Sequence, residues 1–523
     1  MLVLLLASVL CTPFGYDGHQ ISNPIVTIPQ GKFKGTSDSG LSAWLNIPYA
    51  QPPVGELRFK HPVPLGNSSQ IFDSTKFGNN CIPRLQNSSF LQRFISGAPA
   101  PVSEDCLNLN VYAPNNANNL PVMVFVFPGG FDTGDDHEGA VYDGRNILKH
   151  YPNAVIVAMN YRLGPFGFLA SSDLENEGSL NSGLYDIKMA FEWVRQNIAV
   201  FGGNPNQVTA FGQSSGSISI SALLLTDNGN QKLFDRAILM SGPNGYGFKK
   251  PDSPNREGAY KKLADALGCT GQPNVLECLR NAPSDQIIKY SSEFTLTDIE
   301  FEYGLTFDGN LPRNIVDAYR KGQFSKIPLV ITTVEAEGAL MNGPLVGTPV
   351  TNDQQFGNLI TEKLGEFATP TIIEEMLQIY DPKKYSTYQD AFNDFIGDIW
   401  FKCPASLMAQ VWSNNTLPVY VGRNRHVPVY SYLAGNTKAF HTSDLPYAWE
   451  ARNLLFPTEY GLADFVAGYF VRFASGNPPT ASWPLYQSNQ RIDVESQKVE
   501  LDKAKPACKI FYDNTDFVTR PDQ

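Results

Sequence analysis

QVTAFGQSSGSISISALLL, Gln207 to Leu225, is the stretch whose reading decides the fold. Gln207 to Phe211 is a short apolar run, which reads as a strand, and Ser217 onward reads as a helix. Between them lies Gly212-Gln213-Ser214-Ser215-Gly216, a G-x-S-x-G pentapeptide. In a strand–turn–helix setting this spacing lifts one serine above the end of a sheet. Glycines two residues to either side let the backbones approach without a Cβ clash. The helix N-terminus behind the serine offers unpaired N–H groups to a developing negative charge. Ser214 is therefore the candidate nucleophile. Ser215 competes with it, but the glycines are symmetric about Ser214.

Outward from this turn the chain alternates apolar runs with amphipathic ones. Pro121 to Phe127 (PVMVFVF) and Ala154 to Met159 (AVIVAM) read as strands buried on both faces, the mark of a parallel sheet. Ser182 to Val200 places Leu184, Ile187, Phe191, Val194 and Ile198 three or four apart, which makes a helix with one apolar face. Arg236 to Met240 and Ile327 to Val334 are further strand candidates. The alternation predicts an α/β fold with a large, mostly parallel, doubly wound sheet flanked by helices. Chemistry in such sheets sits at the carboxyl ends of the strands.

The residues found at those ends bear this out. Gly129 and Gly130 close the first strong strand, where two N–H groups can point at one substrate oxygen. With the N–H of Ser215 they form a candidate oxyanion hole. An isolated Gly-Gly would be an ordinary turn; its place near the Ser214 strand favours the functional reading. The chain has six histidines. In a serine hydrolase of this kind the histidine comes last, which leaves His426 and His441. His441 lies in a loop (KAFHTSDLPYAW) after the strand-like Pro428 to Leu433. His426 precedes that run beside Arg423 and Arg425 and reads as a surface residue. Glu335 and Glu337 follow the strand ending at Val334, and either suits an acid that orients the imidazole.

Composition narrows the rest. The formal charge is −11 and no basic patch occurs, which excludes nucleic acid as a partner and a polybasic membrane anchor. No segment after the N-terminus is long and apolar enough to span a bilayer. MLVLLLASVLCTPFG at the start has the size of a signal-peptide core. We therefore expect residues 1–16 to be an export signal and 17–523 a single domain of a secreted, extracellular protein. Seven cysteines occur. Removing Cys11 with the signal leaves Cys81, Cys106, Cys269, Cys278, Cys403 and Cys508, an even number that suits disulfides in an exported chain. Six cysteines allow about fifteen pairings, which spacing alone leaves open. None has metal-ligand spacing, so no metal or other cofactor is expected. Asn67, Asn87 and Asn414 head N-x-S/T sequons, expected to carry glycans.

With these residues in view, the chain resembles the type-B carboxylesterase and lipase family, which includes cholinesterases and fungal lipases. The resemblance runs from about Pro24 to about Tyr486. Glu104-Asp105-Cys106-Leu107-Asn108-Leu109, Asn160-Tyr161-Arg162 and Asn197-Ile198 through Phe201-Gly202-Gly203 match family stretches. Asp308-Gly309, Glu337-Gly338, His441 with Asp444-Leu445-Pro446-Tyr447, and Trp483-Pro484-Tyr486 follow in order. The resemblance implies an α/β-hydrolase fold and a Ser214–His441–Glu337 triad, with Glu337 chosen over Glu335 because the family's acid precedes a glycine. It implies disulfides Cys81–Cys106, Cys269–Cys278 and Cys403–Cys508, and structural ion pairs Arg58–Glu104 and Arg162–Asp186. Three departures stand out. Pro128 replaces the first of three family glycines, Gln213 replaces a glutamate, and no tryptophan lies between Cys81 and Cys106. Cholinesterases use that aromatic to hold a quaternary ammonium, so a choline ester is not expected. The expected partner is a small-molecule ester of short to medium acyl chain. Alternatives are a triacylglycerol lipase whose short lid uses Phe90, Leu91, Phe94 and Ile95, an aromatic ester hydrolase, and a non-catalytic binding protein. Oligomeric state is not readable.

Overall fold

The computed structural model describes residues 23–84, 101–230, 232–243, 248–292, 303–342, 349–364, 369–429, 437–502 and 505–513. The expected export signal, the Asn87 sequon and the lid candidates Phe90, Leu91, Phe94 and Ile95 lie outside them.

The first strands are β1 (Ile25–Ile28), β2 (Gly31–Lys34), β3 (Thr36–Asp38), β4 (Leu41–Pro48), β5 (Ile71–Asp73), β6 (Asn80–Cys81), β7 (Val102–Ser103) and β8 (Asn108–Pro114). They are followed by β9 (Leu120–Val126), β10 (Val155–Met159), β11 (Gly203–Gln213), β12 (Arg236–Met240), β13 (Leu329–Val334), β14 (Val419–Asn424), β15 (Gln490–Asp493) and β16 (Lys498–Leu501). Eleven of them form one sheet in the order β16-β15-β14-β13-β12-β11-β9-β10-β8-β4-β3. From β10 to β15 every neighbouring pair is parallel, and antiparallel pairs close both edges. This is the mostly parallel, doubly wound sheet that the alternating pattern predicts, and the α/β-hydrolase arrangement that the resemblance implies.

The central parallel strands β9 and β10 are apolar throughout, as strands buried on both faces are. Val122 to Val126 on β9 and Val155 to Met159 on β10 are wholly buried. The helix Ser182–Asn197 turns Leu184, Ile187, Phe191 and Val194 inward, as its spacing predicts. It ends three residues earlier than the expected Val200, where Ile198–Phe201 tightens into a 3-10 turn closed by left-handed Gly202. Such a tightened last turn absorbs unpaired carbonyls. A second hydrophobic cluster, with Phe356, Ile360, Met376, Phe392 and Phe395, joins the helices Asp353–Leu364, Pro370–Ile379 and Tyr388–Gly397.

One strand falls elsewhere than expected. In the sequence Pro428 to Leu433 reads as the strand before His441, but Pro428 and Val429 are not extended pairing partners, and 430–433 lie outside the described residues. The strand in that place is β14, Val419–Asn424, which pairs along its whole length with β13. Both runs are β-branched and aromatic, so local pattern does not choose between them; pairing with β13 does.

The disulfides are Cys81–Cys106, Cys269–Cys278 and Cys403–Cys508. Arg58 grips Glu104 and Arg162 grips Asp186, each through two nitrogens. Among the described residues no helix is long and apolar enough to cross a membrane.

Candidate active site

Strand β11 delivers Gln213 to the top of the sheet, and the helix Ser215–Leu223 begins two residues later. Ser214 between them has φ 52°, ψ −124°, a backbone conformation that L residues rarely adopt. The strain is imposed by close packing. A Cβ on Gly216 would overlap the carbonyl oxygen of Val126 on β9. The N–H of Ser214 is held by the Met240 carbonyl of β12 at 3.0 Å. The serine is left half-buried.

Glu337 follows β13, and His441 follows β14 after a long connection. Backbone pairing brings them together: Ala336 and Phe440 form a parallel bridge. His441 Nδ1 then lies 2.7 Å from Glu337 Oε2, and Nε2 lies 2.8 Å from Ser214 Oγ. An ionised carboxylate can only accept, so Nδ1 carries the proton and Nε2 offers its lone pair to the serine hydroxyl. Glu337 is fully buried, and its second oxygen accepts the N–H of Val334 at 2.8 Å. Ser214, His441 and Glu337 thus form one hydrogen-bonded line across three strand ends. Glu335 is not part of it. His426 stands apart, within 3.0 Å of both Glu459 and Glu495.

The Pro128–Gly129–Gly130 turn follows β9, the strand beside β11. Gly129 has φ 130° and Gly130 φ 64°, so the loop needs residues without a Cβ. Pro128 is accommodated in the turn. Neither Gly129 nor Gly130 donates its N–H to a partner among the described residues. Ser215 opens its helix, where N–H groups have no acceptor within the helix.

Three further residues surround the triad, and the first of them carried no sequence signal. Phe401 packs its ring on His441, centroids 4.3 Å apart. It sits in a π-turn, Asp398–Lys402, between two helices, and no residue pattern marks that turn. Gln213 places Nε2 3.4 Å from His441 Nε2. Asp444, quoted above only as part of a motif, is buried with Oδ1 unpartnered. Burial, and then the negative charge of Glu337, push its carboxyl up to about 7.

One group among the described residues, Asp135, Asp136 and His137, has ligand atoms close enough together for a metal. These atoms already serve the protein: Asn80 donates to Asp135 at 2.9 Å, Asn110 to Asp136 at 2.8 Å, and His137 Nδ1 lies 2.9 Å from Asp136.

A model of the carboxylesterase family matches residues 22–511, and the chain belongs to that family. It is 32% identical to the para-nitrobenzyl esterase of Bacillus subtilis (strain 168), over 90% of this chain and 94% of that one. It is 33% identical to the cholinesterase of Mus musculus, over 97% of this chain and 89% of that one. The solved structure of a PNB esterase matches it with a TM-score of 0.77 at 30% identity, over 92% of this chain and 98% of the other. The protein is a serine carboxylic-ester hydrolase acting on a small-molecule ester.

Proposed function

We propose that Ser214 is the nucleophile, His441 the general base and acid, and Glu337 the residue that orients and charge-stabilises the imidazole. The line from Ser214 Oγ through His441 to Glu337, at 2.8 and 2.7 Å, carries this reading. His441 Nε2 takes the serine proton as Oγ attacks the ester carbonyl. The carbonyl electron pair moves to oxygen, where the N–H groups of Gly129, Gly130 and Ser215 receive it. One such donor is worth about 3 kcal/mol in hydrolases. Collapse expels the alcohol, which takes its proton from His441. Water, deprotonated by the same nitrogen, then attacks the acyl-enzyme and releases the acid and free Ser214.

The substrates we propose are esters of short to medium acyl chain. Gln213 is uncharged beside the triad, and the Cys81–Cys106 loop has no tryptophan, so nothing there favours a choline ester over a neutral one. The name of the para-nitrobenzyl esterase relative supports an uncharged aromatic alcohol part. Export, with residues 1–16 as signal and glycans on Asn67, Asn87 and Asn414, belongs to the same proposal. It is supported by three disulfides and by the exposure of Asn67 and Asn414.

Hydrolysis of p-nitrophenyl acetate, butyrate, octanoate and palmitate, with Ser214→Ala alongside, tests the reading. Rates falling with chain length and absent in the variant are expected. Rates rising to palmitate above its solubility limit would replace the esterase with a lipase.

A further inference from the structure

The loop after β9 holds three successive residues in the left-handed region: Gly129 at φ 130°, Gly130 at 64° and Phe131 at 66°. Glycine adopts this freely, but phenylalanine does so only where its surroundings impose it. The constraint lies at the next residue. Asp132 is tied to Arg84 by three bonds. The Arg84 N–H donates to the Asp132 carbonyl at 2.8 Å. Its guanidinium takes the carboxylate with a two-pronged grip, Nε to Oδ1 at 2.8 Å and Nη2 to Oδ2 at 2.7 Å. Arg84 is 2% exposed and Asp132 3%, so the pair works out of water, where such a fork is strong and geometrically exacting.

The grip is anchored on both sides. Asn80 donates to Asp135 at 2.9 Å, so the short segment 80–84 holds the loop at a second point. Cys81, within that segment, is bonded to Cys106. Ser292 Oγ donates to the Arg84 carbonyl at 2.6 Å, and the guanidinium lies 5.4 Å from the Tyr303 ring. On the far side the Gly164 N–H donates to the Phe131 carbonyl at 2.7 Å.

We infer that Arg84 is a positioning residue for the oxyanion hole: through Asp132 it imposes the left-handed run that aims the N–H groups of Gly129 and Gly130. The inference rests on the assignment of those two groups as oxyanion donors. Arg84 touches no reacting atom and acts only through the backbone of the loop. A hole displaced by a fraction of an ångström binds the planar ester as before. It loses stabilisation of the tetrahedral oxyanion alone.

The test compares the full chain with its Arg84→Met, Arg84→Lys and Asp132→Asn variants, each checked for folding by circular dichroism. Three quantities are read: kcat and KM on p-nitrophenyl butyrate, the inhibition constant of an alkyl trifluoromethyl ketone, and that of the matching methyl ketone. Ser214 adds to the fluorinated carbonyl, its proton passes to His441, and the carbonyl oxygen becomes an oxyanion. The methyl ketone binds without this step. In the variants kcat falls about ten- to hundredfold and the fluorinated inhibitor weakens by a similar factor, somewhat less than for outright loss of a donor. KM and methyl ketone binding stay within about threefold. Arg84→Lys, which keeps the charge but not the fork, follows the same pattern and decides the matter with Asp132→Asn if Arg84→Met does not fold. Folded variants with kcat and fluorinated-inhibitor binding within about twofold of the parent would overturn the role of Arg84, as would equal weakening of both ketones. If the parent itself holds the fluorinated ketone no more tightly than the methyl ketone, the oxyanion assignment fails instead.

Discussion

The backbone N–H of Ala336 donates to the carbonyl of Ala439 at 2.7 Å, tying the turn after β13 to the segment that ends in His441. Glu337 and His441 flank that bond, so the acid and the imidazole meet because two backbones are stitched together, not because their side chains reach for each other. Sequence separation between them is large, and the stitch removes most of the freedom that would otherwise be lost when the pair forms.

Glu337→Gln keeps the shape of the acid and one acceptor oxygen but removes the charge that favours the Nδ1–H tautomer. We expect kcat to fall about 10³- to 10⁴-fold, with KM changed little, because the substrate does not touch Glu337. Steady-state kinetics on p-nitrophenyl butyrate checks this; a loss under tenfold would remove Glu337 from the triad.

Phe401 packs against the imidazole and is 4% exposed. Phe401→Ala leaves a cavity beside His441, costing about 3–4 kcal/mol of stability. It also frees the ring to leave its line, lowering kcat roughly tenfold. Phe401→Leu, which fills most of the space, recovers both in large part. Thermal melts and kcat on the two variants test the pairing; equal kcat in Phe401→Ala and parent would make the contact mere packing.

Asp444 gives the stability a pH dependence with a definite sign. In the unfolded chain its carboxyl ionises near the ordinary value of about 4; in the fold burial and Glu337 hold it at about 7. The folded state therefore keeps a proton between these values that the unfolded state has lost. Stability from this group is greatest below about pH 4 and drains away as pH rises through 7, by up to about 4 kcal/mol. Asp444→Asn removes the titration, so its melting temperature should exceed the parent's increasingly from pH 5 to pH 8. A difference that stays constant over that range would contradict the assignment.

What the sequence revealed, and what it withheld, divides along a physical line. The strand-to-helix turn at Ser214 was legible because its glycines answer a local steric demand, shown at Gly216 by the Val126 carbonyl. Strands β9 and β10 were legible because burial on both faces leaves unbroken apolar runs. His441 and Glu337 were chosen by their order along the chain and by family likeness, since the Ala336–Phe440 bridge that joins them has no local signature. Strand β14, which precedes His441 among the described residues, went unread because only its pairing with β13 marks it. Arg84 and Asp132, 48 residues apart, and Phe401, presented by a π-turn, meet only in three dimensions.

On the proposed mechanism Ser214 accepts the acyl group. The most direct measurement is labelling with a short-chain alkyl p-nitrophenyl phosphonate, followed by digestion and mass spectrometry. We expect release of one equivalent of p-nitrophenol, complete loss of esterase activity, and a single phosphonyl adduct on Ser214. An adduct on Ser215 or elsewhere, or esterase activity that survives stoichiometric labelling of Ser214, would contradict it.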